Sequence, residues 1–330
     1  MIEAVIKKYL GSESYLSKNK KLIFFLFKIF IAAGLLLYIV SEVKLNEIIS
    51  AIEGANTIYL ISAFLLTFFN LYLQYFKWKL TCNILLKENS KSKIAVSLLH
   101  GLAAGVFTPA RIGEYFGRAI VFRDLPVYKV GLATLLDKFF PLLMVAFFGS
   151  ISSIIFIHFQ YEVTTFLTIS LFVVFFSLFY FFFYLLFNEK FWDSFIFAKL
   201  RKSDRLNYFL EKLKELKYLD KTYSIKMLIV SFLFYLCFLV QYALLVSAFS
   251  NNLAFIEYLW AGNLIMFAKT IIPPISLGEL GIREGASVYF ITRLGESASA
   301  GFNASFFLFL INVLLPSIVG MLLLTKKSNG

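Results

Sequence analysis

One pattern of residues with chemical potential occurs twice. Pro109, Gly113, Glu114 and Arg118 spell P-x-x-x-G-E-x-x-x-R, and Pro274, Gly278, Glu279 and Arg283 spell it again 165 positions later, half the length of the 330-residue chain. Arginine presents a planar fork of donors suited to two oxygens of one phosphate. Each Glu precedes its Arg by four residues, the favourable order for a helical ion pair. Arg111 stands two residues after the first proline, where the second copy has Ser276. Glu284 adds a carboxylate to the second copy and Lys269 a cation about one turn before it. Asp137 and Lys138 follow the first copy and are expected to pair with its arginines. Two readings fit these residues. In one, the Glu–Arg pairs neutralise each other and fasten the backbone. In the other, at least one pair faces a substrate, a phosphate-bearing head group with or without an amine.

The elements that carry these residues are apolar. The chain is 60% hydrophobic and contains 41 Phe. Six stretches, roughly 22–41, 57–77, 130–157, 164–187, 227–250 and 301–324, have the ~20-residue length that crosses a bilayer as helix. Two more, 94–120 and 258–295, are broken near the middle by Pro, Gly and charge, and each motif copy sits at a break. Loop charge decides how these two thread. Residues 1–21 hold Lys7, Lys8, Lys18, Lys20 and Lys21, whereas Glu42–Asn56 holds one Lys and three Glu. If 94–120 crossed once, the ten Lys and Arg of 188–226 would lie outside, against the positive-inside bias. A segment that enters and turns back avoids this. The expected fold is therefore an all-α polytopic membrane protein with about six transmembrane helices and two re-entrant helical hairpins, both termini in the cytoplasm.

Shifting the spans by 165 superposes 57–77 and 130–157 on 227–250 and 301–324 approximately. This suggests a first repeat, 22–157, and a second, 164–325, into which 188–226 is inserted as a cytoplasmic amphipathic segment. Three crossings per half would turn the second upside down, the inverted repeat of many secondary transporters. Backbone can leave the helix at membrane depth only where protein or a watery cavity satisfies it. In that setting Pro109, Pro273 and Pro274 end the entering half-helices. Gly113, Gly278 and Gly281 permit tight turns. A returning half-helix would offer N–H groups to an anion. Gln74 and Gln241 read as interhelical hydrogen-bonding residues and His100 as a packing residue. Gly101 and Gly105 read as a close-approach pair.

Other chemistries lack residues. Cys82 and Cys237 give neither a disulfide framework nor a metal spacing. No nucleophile–base set or nucleotide-binding loop is visible, so no cofactor and no metal are expected. The net charge of +12 reads as cytoplasmic loop charge, with no nucleic-acid role. With no small-residue cleavage site after a short apolar core, the first span is expected to be retained.

The stretches TPARIGEYFGRAIVFR (108–123) and IIPPISLGELGIREG (271–285) resemble the signature regions of the lysylphosphatidylglycerol synthase transmembrane family, and LLDKFF (135–140) is similar to a weaker third block. The resemblance runs from about residue 20 to 325. In the full-length synthases a soluble domain follows and moves an amino acid from tRNA onto phosphatidylglycerol, while the membrane region is associated with flipping the product. This sequence reaches Gly330 without that domain. The resemblance therefore implies translocation rather than synthesis, and it makes Pro109, Arg111, Gly113, Glu114, Arg118, Pro274, Ser276, Gly278, Gly281, Arg283 and Glu284 the signature positions. The expected partners are membrane lipids with an anionic phosphate head group. Candidate protein partners are a lipid-synthesising enzyme or a glycosyltransferase. The alternatives are a transporter of a soluble anion or ion and an intramembrane lipid-modifying enzyme.

Overall fold

The computed structural model describes residues 43–106, 108, 111–187, 221–272 and 281–328, together with Leu37, Val40 and Ser41. The N-terminal segment 1–21, nearly all of the span 22–41, and the insertion up to residue 220 lie outside the described residues. So do Pro109, Pro273, Pro274, Ser276, Gly278 and Glu279. The described residues are helical, without strands.

A short helix α1 (Leu45–Glu53) occupies what the loop charges suggested was a simple connector. It forms because Ile48 finds a buried seat with Val43 and Phe302. Next, α2 (Thr57–Thr81) starts where the Asn56 side chain accepts the Ile58 N–H at 3.0 Å, and it continues through a π turn, Cys82–Leu86. Beyond the turn, Glu88 accepts the Ser90 N–H at 2.8 Å. That bond, together with Lys93 nearby, holds the Glu88 carboxyl below the usual carboxylate range. The chain then enters α3 (Lys91–Val106), turns, and returns as α4 (Gly113–Ala119). It continues in α5 (Val127–Gln160) and α6 (Thr165–Phe187).

The second half runs α7 (Lys221–Ser250), α8 (Phe255–Ile271), α9 (Ile282–Arg293) and α10 (Ala298–Phe309). A second π turn, Leu310–Leu314, joins α10 to α11 (Leu315–Ser328). Four of these helices, Thr57–Leu86, Val127–Gln160, Lys221–Ser250 and Ala298–Leu324, are long and apolar enough to cross a membrane. The insertion read as 188–226 ends sooner than expected. Residues 221–226 are the first turns of α7, because Tyr223 is buried against Phe140 and hydrogen-bonds Thr81 at 3.0 Å.

The most buried span is α7, and it packs along α2. Gln241 of α7 donates to the Ala63 carbonyl at 3.0 Å, accepts from Asn70 and exchanges bonds with Asn312. Gln74 instead bonds within its own helix, to Asn70 at 2.8 Å. The first-half helix α3 packs on the second-half helix α11. There the Ser317 hydroxyl donates to the Leu102 carbonyl at 3.1 Å, and a Cβ on Gly320 would strike the Leu99 carbonyl. The two halves are thus interlocked.

Helices α3 and α4 lie antiparallel and close enough that their backbones touch. A Cβ on Gly113 would collide with the Ala104 carbonyl oxygen, and one on Gly117 with that of His100. Ser97 of α3 donates to the Arg118 carbonyl at 3.0 Å. Gly117→Ala is therefore expected to pry the hairpin open and destabilise the protein by about 1–3 kcal/mol, the usual cost of overpacking. Gly131→Ala, where nothing lies within 4 Å of the added methyl, should be neutral or stabilising. Thermal unfolding of both variants in detergent checks this.

Candidate functional site

Gly101 and Gly105 of α3 have a different role from the one their spacing suggested. A Cβ on Gly101 would meet the Arg118 side chain at 2.6 Å and Glu114 at 3.2 Å, and one on Gly105 would meet Arg111 and Glu114 at 3.5 Å. The two glycines make a trough for charged side chains of the facing α4. Into that trough the hairpin lays Glu114 and Arg118, both buried.

Arg118 is the centre of the site. One guanidinium nitrogen donates to Asp137 Oδ2 of α5 at 2.9 Å and another to Glu114 Oε1 at 2.8 Å. Its Cζ lies 4.2 Å from the Trp78 ring centroid on α2, a desolvated cation–π contact. Asp137 also receives Lys77, whose ammonium lies 2.8 Å from Oδ1 and donates to the Asp137 backbone carbonyl. That carbonyl has lost its normal partner. The residue four positions on is Pro141, inside α5 and without an N–H to give. Lys77 supplies the missing donor and pairs the carboxylate at once.

Around this core sit two less buried cations. Lys138 Nζ lies 2.7 Å from Glu114 Oε2, and Arg111 Nε lies 3.6 Å from the same oxygen. Their side chains are 32% and 24% exposed, against 3% for Arg118 and 2% for Asp137. Lys77, Arg118, Glu114 and Asp137 cancel in formal charge. Arg111 and Lys138 leave the cluster with two positive charges in excess among the described residues. Arg111 also has a φ of 54°, a left-handed conformation unusual for a residue with a Cβ and one that gathers at functional sites.

The expected free N-terminus of the returning helix is not what α4 presents. Thr108 Oγ1 accepts the Gly113 N–H at 2.7 Å, and Glu114 occupies the first turn. The anion-attracting groups here are side chains.

The second motif copy builds a smaller cluster. Gly281, at φ 91°, precedes α9 and donates its N–H to Glu284 Oε2 at 2.7 Å. Arg283 bonds the Glu284 carboxylate and, through Nε, Ser305 at 3.0 Å, with Phe309 5.2 Å from its Cζ. Both charges are buried. The expected Glu279–Arg283 pair lies outside the described residues. Lys269 holds its ammonium 5.6 Å from the Phe238 ring of α7, and Lys77 holds its own 6.0 Å from Phe234, one turn away. His100 is buried in α3, within the first hairpin.

Sequence reasoning missed Lys77 and Trp78. The available signal was a lysine at the end of an apolar run and an aspartate four residues before Pro141, which no local pattern connects. Arg118→Ala would strip both carboxylates of a shared cation and is expected to cost about 3–5 kcal/mol, as for other broken buried pairs. Lys77→Met should cost clearly less in a Pro141→Ala background, which restores an N–H to the Asp137 carbonyl. The coupling should fall in the ~0.5–3 kcal/mol range of residues that share a partner, read from a double-mutant cycle on unfolding in detergent.

A family model described as lysylphosphatidylglycerol synthase TM region matches residues 25–320. No curated protein matches the chain. With the match spanning nearly all of its length and four helices suited to crossing a bilayer, the chain belongs to the lysylphosphatidylglycerol synthase transmembrane-region family and is a multi-pass membrane protein.

Proposed function

We propose that the protein translocates a phosphate-containing lipid across the cytoplasmic membrane, by alternating access between two inverted halves and with no covalent step. The observation that carries this reading is the half-open edge of the first cluster. Arg111 and Lys138 share one carboxylate oxygen and leave an uncompensated positive charge where the site is still accessible. Charge at membrane depth costs several kcal/mol, and its retention points to transport or binding. A phosphoryl group entering there neutralises the edge and gains charge-assisted hydrogen bonds. The acyl chains stay in the bilayer beside the apolar helix surfaces.

Helix boundaries support the repeat. Moved by 165 positions, Thr57–Leu86 and Lys91–Val106 fall on 222–251 and 256–271, within one residue of Lys221–Ser250 and Phe255–Ile271. In this reading α3–α4 and α8–α9 are hairpins that re-enter from opposite faces. Lys87, Lys91 and Lys93 mark the cytoplasmic side, and Asn251–Glu257, without Lys or Arg, the outer side. The termini are cytoplasmic.

The test uses the full chain in phosphatidylcholine vesicles, with acyl-labelled anionic phospholipids and a membrane-impermeant quencher. Arg111→Gln combined with Lys138→Gln is expected to slow lipid movement at least tenfold while thermal stability stays near wild type. Unchanged movement at equal protein level would remove the proposed role.

A further inference from the structure

The charge arithmetic of the first cluster carries a conclusion about which phosphate is bound, resting on the translocation reading above. We infer that the site is built for a terminal phosphomonoester, a dianion, in preference to the monoanionic phosphodiester of ordinary phospholipids.

The inner residues Lys77, Arg118, Glu114 and Asp137 form a closed neutral quartet, each charge held within 2.9 Å of an opposite one. Glu114 Oε2 also receives Lys138 at 2.7 Å and Arg111 at 3.6 Å, so the quartet meets the outer cations through this one oxygen. The excess belongs to Arg111 and Lys138, one positive charge each. Both approach Glu114 Oε2, so their nitrogens are no further apart than those two distances, 3.6 and 2.7 Å, laid end to end. Two cations that close can each hold an oxygen of one phosphoryl group, at the about 2.7–2.9 Å typical of charge-assisted bonds. A terminal phosphate with a charge of about −2 cancels the excess. A phosphodiester leaves one positive charge uncompensated in a low-dielectric setting. A diester whose head group carries an amine brings a further positive charge to an edge whose one carboxylate oxygen among the described residues already serves two cations. Arg111 is kept at this edge in a left-handed backbone conformation, φ 54°.

The experiment compares three acyl-labelled lipids in phosphatidylcholine vesicles holding the full chain at pH 8: phosphatidate, phosphatidylglycerol and phosphatidylcholine. A parallel arm measures entry of inorganic phosphate. Phosphatidate is expected to move at least tenfold faster than phosphatidylglycerol. Lys138→Gln, which lowers the excess by one charge, should reduce that ratio about tenfold by slowing phosphatidate more than phosphatidylglycerol. Equal movement of the two anionic lipids by the wild-type protein would overturn the dianion preference and leave lipid translocation standing. Entry of inorganic phosphate with no lipid movement would support the phosphomonoester chemistry and overturn a lipid source. If neither lipids nor phosphate moved, both the inference and the translocation reading would fall. An unaltered ratio in Lys138→Gln would overturn the charge-matching argument even where phosphatidate is preferred.

Discussion

The bridge made by Arg118 between Glu114 and Asp137 is the interaction on which the rest of the first half depends. A guanidinium in an apolar setting needs partners, and this one draws them from three elements at once: its own short helix α4, the span α5 and the Trp78 ring of α2. A buried pair of this kind adds little net stability over an apolar equivalent, but it is costly to leave half made. It therefore fixes which surfaces meet. Helix α4 has seven residues, too few to persist by itself. It is held by the ion pairs on one side and by the glycine contacts with α3 on the other. Remove the requirement to pair Arg118 and nothing obliges α3 to be glycine-rich where it faces the charges, or α5 to turn Asp137 inward.

The same constraint explains the proline in the longest helix. Pro141 interrupts the hydrogen-bond ladder of α5 one turn after Asp137 and leaves the Asp137 carbonyl in need of a donor. An orphan carbonyl in a dry interior is costly. Lys77, already drawn in by the carboxylate, satisfies it. One lysine thus answers a backbone defect and a side-chain charge, which accounts for a lysine so deeply buried. The second half does without this device. The positions 165 residues beyond Lys77 and Asp137 are Tyr242 and Phe302. The Tyr242 hydroxyl bonds Ser287 at 2.7 Å, and no ion pair forms at that place among the described residues. Similar helices at similar boundaries therefore carry an ion pair at this place in one half and a hydroxyl bond in the other.

Much of this was legible in the sequence, and for identifiable reasons. Long apolar runs fix helices because the bilayer leaves no alternative, so the spans near 57–77, 130–157 and 227–250 appear in the fold with extended ends. The ends themselves were not legible. Lys79 looks like a loop residue, yet α2 continues beyond it because Asp137 neutralises Lys77 and the π turn carries the helix to Leu86. Residues 221–226 look like the tail of a charged connector, yet Tyr223 finds Thr81 and Phe140 and draws them into α7. The motif spacing identified Glu114 with Arg118 because a helical i, i+4 pair is local. Its second copy pairs Arg283 with the adjacent Glu284 through a side-chain path that a spacing rule does not describe. Asp137 was expected beside the hairpin arginines and lies against Arg118. Lys138, being a cation, sits instead on Glu114. Gly101 and Gly105 signalled closeness correctly, but what comes close is a pair of charged side chains rather than a helix backbone.

The division of the cluster into a dry neutral core and a wetter charged rim has a consequence for any carrier. A carrier must move its site both loaded and empty, and an empty site with unpaired buried charge would be stranded by desolvation. Here the charges that lie deepest, Arg118 and Asp137, are matched to each other, so the empty protein has no deep charge to conceal. The positive excess lies with the two less buried side chains, Arg111 and Lys138, at 24% and 32% exposed. The buried pairs of Arg118 fasten the hairpin to α5, and the charge in excess sits on the two more exposed side chains of the same cluster.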